Sequence, residues 1–343
     1  MIQFRYALTT LISVVLVALI FLGGCSEDGA GTVASTDTAM KAEEAAVLSK
    51  YPPSGIELTL KQVSEHVYYA EGAAGIATDN EGFISNAGVV ITGDGVVVFD
   101  SLGSPSLAAK LVQRIRELTS EPIRKVIVSH YHADHIYGLQ VFEELGAEII
   151  GPLGAELYLN SEGAIARLEE RRFSLDPWVN ENTRLVGPDR YLGESETFKL
   201  GAVTFTLNPL GAAHSDGDLA LYLEPDRVLL SGDLIFEGRV PFLGDANTGA
   251  WLDILRRMET QGLVALIPGH GPAASNPNEA IELTRRYLEY LRKTMGAAAA
   301  DFIQFSEAYA ATDWSEFEHL PAFEAAHRRN AYQVYLSMEE EGL

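Results

Sequence analysis

Apolar residues in this chain fall into short runs, and a long helical stripe appears only in its last quarter. Residues 66–70 alternate loosely and read as a short strand, and residues 83–91 follow as another. Gly93-Asp94-Gly95 reads as a hairpin turn into the wholly apolar Val96-Val97-Val98-Phe99. Ser104-Pro105 supplies an N-cap and a first helical residue, and Leu107, Leu111, Ile115 and Leu118 make the stripe of the helix they open. A strand over 126–129, a helix over 136–145 and a strand over 147–150 follow. Residues 154–195 read as an insertion of charged helical turns around Leu168 to Arg172, placed either over a site or against the side of the domain. Four apolar strands then come in quick order, over 203–207, 219–223, 228–230 and 263–267. Asn276-Pro277 opens a long helix with Ile281, Thr284, Leu288, Leu291 and Met295 on one face, and the remainder is helical and aromatic. Short strands interspersed with helices make this an α/β chain.

What interrupts the pattern is polar and repeats at strand ends. The strand at 126–129 runs into His130, His132, Asp134 and His135, three of the eight histidines within six positions. His130 and His132, two apart in extended chain, point the same way and can share one metal ion, whereas Asp134 and His135 fall where a helix begins and can hold another. Three later strands also end in Gly-containing turns that carry one metal-binding residue each, at His214, Asp233 and His270. Loops at one edge of a sheet are where sites gather. The set sorts into His130, His132 and His214 around one ion and Asp134, His135 and His270 around a second, with Asp233 able to bridge. Nitrogen-rich ligands without thiolate suit zinc first, then iron or manganese. Asp134 is also the carboxylate best placed to handle a proton, and Asp100 is the candidate support behind a ligand imidazole. Tyr131, Tyr137 and Arg239 are by position either cleft residues or packing residues of the fold. His66, His319 and His327 are expected to be structural or at the surface.

Composition narrows the partners. The chain has 343 residues, 25 basic against 48 acidic, and such a surface excludes nucleic acid as a partner. Arg5, the apolar run 11–22 and Leu22-Gly23-Gly24-Cys25 resemble a bacterial lipoprotein signal, with Cys25 lipidated and Ser26 matching the outer-membrane class. A plain membrane anchor is the other reading of the same stretch. Cys25 is the only cysteine, which leaves no disulfide and no thiolate ligand. The organisation expected is a signal peptide over 1–25, a flexible tether over 26–54, a catalytic domain over 55–275 and a helical extension over 276–343 packed on it.

His130-Tyr131-His132-Ala133-Asp134-His135, with His214, Asp233 and His270 at these intervals, resembles the metallo-beta-lactamase superfamily. The resemblance implies an αββα sandwich with metals at one edge and a hydrolase of a small ester, thioester, lactone or lactam. Cysteine-ligand lactamases carry Cys where Asp233 stands, so that branch is excluded, and the full set is similar to glyoxalase II and related hydrolases. Gly232 to Pro241, the 214–218 turn and the helical C-terminus look like exported metallo-hydrolases associated with quinoprotein and sulfur-oxidation systems. Two other readings stay open. One is a mononuclear iron persulfide dioxygenase, the other an accessory protein of a periplasmic oxidoreductase.

Overall fold

Every side chain of Val96-Val97-Val98-Phe99 is buried, yet strand alternation sends them to two places. Val96 and Val98 join an apolar layer with Leu107, Leu111 and Ile115, while Val97 and Phe99 join another with Phe205, Leu221 and Leu230. This division runs through the molecule and defines its layers. The computed structural model describes residues 41–342 apart from Asp245 and Glu259. The signal segment 1–25, with Cys25, and the tether up to residue 40 lie outside the described residues. Among the described residues, no helix is long and apolar enough to cross a membrane.

The first sheet takes its seven strands in sequence order: β1 (Leu60–Gln62), β2 (Val67–Ala70), β3 (Ala87–Ile91), β4 (Val96–Phe99), β5 (Ile123–Ile127), β6 (Glu148–Pro152) and β7 (Arg190–Leu192). Pairing is antiparallel from β1 to β4 and parallel from β4 to β7. The crossovers between parallel strands carry helices: α1 (Pro105–Leu118), α2 (Ala133–Ile136), α3 (Leu139–Glu144), α4 (Ala155–Leu159) and α5 (Glu162–Ser174). The second sheet runs β12-β11-β10-β9-β8, from β8 (Glu196–Leu200), β9 (Val203–Gly211), β10 (Asp218–Glu224), β11 (Val228–Phe236) and β12 (Ala265–His270). Only β11 and β12 pair in parallel there, across α6 (Thr248–Arg257). After β12 come α7 (Pro277–Ala300), α8 (Phe305–Ala311) and α9 (Phe323–Glu341).

Three apolar layers result: helices on the first sheet, sheet on sheet, and the second sheet under α6, α7 and α9. That is the αββα sandwich with added C-terminal helices. The face of α7 expected from periodicity is the buried one, with Leu288, Leu291 and Met295 fully covered. Each such side chain contributes about 2 kcal/mol of apolar burial, which binds the extension to the sheet.

Four local expectations are revised. The tether does not extend to residue 54, because Glu44 pairs with Arg116 at 2.6 Å, Val47 is buried and Tyr51 bonds Glu144. The strand expected over 83–91 starts at Ala87, since Asn86 spends its side chain on the backbone of Gly72, Pro268 and Gly271. The helix over 136–145 is two pieces, α2 and α3, parted at Gly138, where a Cβ would lie 2.0 Å from the Ser101 carbonyl oxygen. The α1 stripe stops at Ile115, and Leu118 is exposed at the helix end.

Candidate metal centre

The seven candidate ligands meet where strands of both sheets end. His130, His132, Asp134 and His135 follow β5, His214 lies between β9 and β10, Asp233 is within β11 and His270 closes β12. Three overlapping groups of possible ligand atoms form: His130, His132 and His214; Asp134, His135 and His270; and His130, His135 and Asp233. His132 Nδ1 lies 3.0 Å from both His130 Nε2 and His214 Nε2. Asp134 Oδ2 is 3.2 Å from His270 Nε2 and 3.5 Å from His135 Nε2. Asp233 spans the two sets, its Oδ2 lying 3.2 Å from His214 Nε2 and 3.3 Å from His270 Nε2, its Oδ1 3.2 Å from His135 Nε2.

The donor set fits divalent ions. Two imidazole nitrogens bound tetrahedrally at about 2.05 Å stand about 3.3 Å apart, close to the spacing of the first triad. Within the cluster, the buried His135 Nε2 and Asp233 Oδ1 lie 3.2 Å apart yet make no aligned hydrogen bond, a placement that suits a shared ion better than a shared proton. Charge agrees. Burial, reinforced by His135 and His132, holds His130 well below its ordinary pKa, and burial with His214 pushes His132 down to about 3. Both are therefore neutral and free of proton competition near neutral pH. Burial opposes charge on His135 and His270, yet Asp233, with Asp134, outweighs it and raises both. In the metal-free chain those protons supply the positive charge that the carboxylates demand, and a divalent cation would replace them.

Asp100 organises the ligands from behind. Its backbone is left-handed, at φ 64°, and the carboxylate is buried. It accepts from His135 Nδ1 at 2.9 Å, which turns Nε2 toward the cluster. It also accepts from Ser129 N and Ser129 Oγ, both at 2.7 Å, and the serine oxygen in turn faces His130 Nδ1 at 2.9 Å. One carboxylate thus sets an imidazole in each triad. Ser129 was missed by sequence reasoning, although its place directly before His130 is a signal in itself. His270 is set by its Nδ1, which donates to the Ile84 carbonyl at 2.6 Å, and its ring stacks on Phe236 at 5.1 Å. His214 rests edge-on against Trp251, and its turn is pinned by Asp218, which accepts from Ser215 N and Oγ at 3.0 Å. Burial raises Asp218 to about 6.

Backbone contact is as close as the side chains. A Cβ on Gly269 would stand 1.9 Å from Asp233 Oδ1, so only glycine lets β12 pass this carboxylate.

The remaining predicted residues divide. Tyr137 is not a cleft residue: it is 1% exposed and belongs to the apolar layer that α1 also fills. Arg239 is not one either. It follows the turn at Gly238, is 2% exposed, and its guanidinium lies 5.8 Å over the ring of Phe242, which faces the cavity in its place. Burial lowers its pKa, against the pull of Asp233 and Asp134. Tyr131 is buried, and its hydroxyl donates to the Val186 carbonyl in the insertion. His66 bonds Asp226 at 2.8 Å, His327 is buried beside Tyr287, and His319 is exposed; none joins the centre.

His132, Asp134, His214, Asp233 and His270 form the floor of a cavity of about 720 Å³. A two-sheet sandwich with such a histidine-aspartate centre at one edge defines a class of metal-dependent enzymes. The sequence profile of the metallo-beta-lactamase superfamily matches residues 80–270, more than half of the chain, and the chain belongs to that superfamily. Among its relatives, a metallo-beta-lactamase type 2 from Bacillus sp. (strain 170) is 23% identical over 252 residues, spanning 70% of this chain and 85% of the relative. The acyl-coenzyme A thioesterase MBLAC2 of Gallus gallus is 29% identical over 157 residues, 42% of this chain and 55% of that protein. The sec-alkylsulfatase Pisa1 from Pseudomonas sp. shares the fold with a TM-score of 0.64 at 17% identity, over 82% of this chain and 50% of its own.

Proposed function

We propose that this protein is a binuclear zinc hydrolase of a small ester, thioester, lactone or lactam. The observation that carries the reading is the pair of ligand triads joined by Asp233 on the floor of a cavity. His130, His132 and His214 would hold one ion, Asp134, His135 and His270 the other, with Asp233 between them. Divalent ions held there would supply an acidified water, its pKa brought from about 15.7 towards about 7, and would polarise a scissile carbonyl.

The chain's own groups do the rest. The Asp134 side chain is 21% exposed, against 3% for His270 and 0% for His135 beside it, and it lines the cavity. It orients the attacking water and takes its proton at the carboxylate. Asp100 fixes His135 directly and His130 through Ser129, so the centre is preorganised before substrate arrives. The apolar wall of Ile76, Ile84 and Phe242 limits water around the reacting bond. Relatives named for a β-lactam and for an acyl-coenzyme A thioester support acyl-bond hydrolysis as the class and leave the acyl group open. The address at the N-terminus adds the remainder of the reading: a lipid on Cys25 holding the enzyme to the outer membrane and facing the periplasm.

Metal analysis of the purified chain, paired with chromogenic thioester, lactone, ester and cephalosporin substrates, tests it. About two zinc ions per chain with turnover of one substrate is the expected result. One iron per chain would replace the reading with a dioxygenase, and two zincs without any turnover would leave an accessory protein. Asp134→Ala that retained both metals and full turnover would overturn the role given to Asp134.

A further inference from the structure

The walls of the cavity above the centre come partly from elements that carry no candidate ligand. Helix α5, from the insertion between β6 and β7, presents Arg167 and Arg171. These two are one helical turn apart and therefore share a face. Helix α9, late in the chain, adds Arg329 to the same lining. The neighbouring Asn330 holds this wall in place, donating to the Pro241 carbonyl at 2.6 Å and accepting from Leu243 N at 3.1 Å, on either side of Phe242.

This runs against the composition of the molecule. The chain carries 48 acidic and 25 basic residues, so anions are repelled at a distance. Among the described residues that line the cavity, outside the candidate ligands, there are three arginines and one acid, Asp216. Glu170 lies 3.3 Å from Arg167 Nη1 and 3.6 Å from Arg171 Nε, one carboxylate for two guanidiniums. Arg167 and Arg171 line the same cavity as Tyr158 and the candidate ligands His132, Asp134 and His214. Ile76, Ile84 and Phe242 make the rest of the lining apolar. The volume, about 720 Å³, falls within the roughly 300–1,000 Å³ typical of small-molecule sites.

We propose that Arg167, Arg171 and Arg329 form an anion subsite, and that the substrate carries a carboxylate, sulfate or phosphate group joined to the hydrolysed bond by a short apolar stretch lying on Ile76, Ile84 and Phe242. The guanidinium fork matches all three oxyanions in the same two-pronged way. The proposal rests on the hydrolase reading for the word substrate, and the test keeps the two separate.

Binding comes first, with hexanesulfonate, which offers no ester to cleave, and hexanol, its uncharged counterpart. Calorimetry uses the full chain, zinc-loaded and chelator-treated, against Arg167→Ala/Arg171→Ala and Arg329→Ala. Hexanesulfonate is expected to bind in preference to hexanol, with and without zinc, more weakly as salt rises. Each variant should weaken it by about tenfold or more while leaving zinc content and Tm unchanged. Hexanoate in parallel distinguishes a carboxylate from a sulfate preference. Kinetics follow with para-nitrophenyl butyrate and the mono-para-nitrophenyl ester of glutarate. The glutarate ester should show the lower KM, and the variants should erase that advantage without lowering kcat. Equal binding of hexanesulfonate to wild type and variants, or binding that follows zinc alone, would overturn the subsite. Arginine-dependent binding without turnover of either ester would sink the hydrolase reading and leave the subsite standing.

Discussion

Asp100→Asn removes one charge and almost no volume from behind the metal centre, and its effect can be worked out atom by atom. The carboxylate now accepts three hydrogen bonds, from Ser129 N and Oγ at 2.7 Å and from His135 Nδ1 at 2.9 Å. An asparagine has one accepting oxygen. If that oxygen stays with Ser129 N, the amide group faces His135 Nδ1, which must then accept, moving the ring proton to Nε2. That nitrogen is the one aimed at Asp233 and Asp134, so the imidazole presents a proton where a ligand needs a lone pair. The backbone adds little cost, because asparagine tolerates the left-handed φ of 64° at this position. Loss of such a supporting carboxylate lowers metal affinity by about 10–100-fold. In the metal-free chain the bond joins the buried carboxylate to a His135 that carries its proton, and losing it costs about 1.5–3 kcal/mol. The variant should therefore have a lower Tm than wild type in chelator, gain less stabilisation from added zinc, and release one zinc to a competing chelator well before the other. Wild-type zinc affinity at both positions would refute the account of Asp100.

Two further predictions come from packing and charge. Gly269→Ala would place a methyl 1.9 Å from Asp233 Oδ1 and 2.7 Å from the Gly232 carbonyl carbon, so either β12 moves or the carboxylate rotates out. The expected result is about 1–3 kcal/mol of destabilisation in urea unfolding together with fewer than two zincs per chain, and full metal content would contradict it. His327 is buried against Phe323 and Trp314, and burial lowers its pKa from 6.5 to about 4. Between those values the unfolded chain binds the proton and the folded chain does not, so stability is present above about 6.5 and falls as pH drops towards 4, by about 2–3 kcal/mol. Subtracting the pH profile of His327→Leu from that of wild type isolates this loss; superimposable slopes would show that the residue titrates normally.

What the sequence disclosed and what it hid follow from the range of the interactions involved. The strand-end motifs named all seven candidate ligands, because extended spacing at His130 and His132 and the helix start at Asp134 are local geometry. The layered sandwich followed from resemblance, and its alternation is visible in the Val96 to Phe99 strand. The side of the chain to which Tyr137 and Arg239 turn was not local. Tyr137 follows α2 into the core, and the turn at Gly238 tucks Arg239 beneath Phe242. Ser129 looked like an ordinary strand end until Asp100, 29 residues earlier, was seen to hold it. The insertion and the C-terminal helices were legible as helices, but that α5 and α9 line one cavity with the candidate ligands depends on tertiary packing alone.

The division of the seven ligands between two sheets has a consequence for how the protein matures. His130, His132, Asp134 and His135 belong to the strand β5 side, while His214, Asp233 and His270 arrive with β9 to β12, up to 140 positions later in the chain. Neither triad is complete until the halves have docked, since each borrows at least one imidazole from the other. A nascent or partly unfolded chain would offer only an incomplete ligand set, so an ion would be held tightly only after the two sheets have docked.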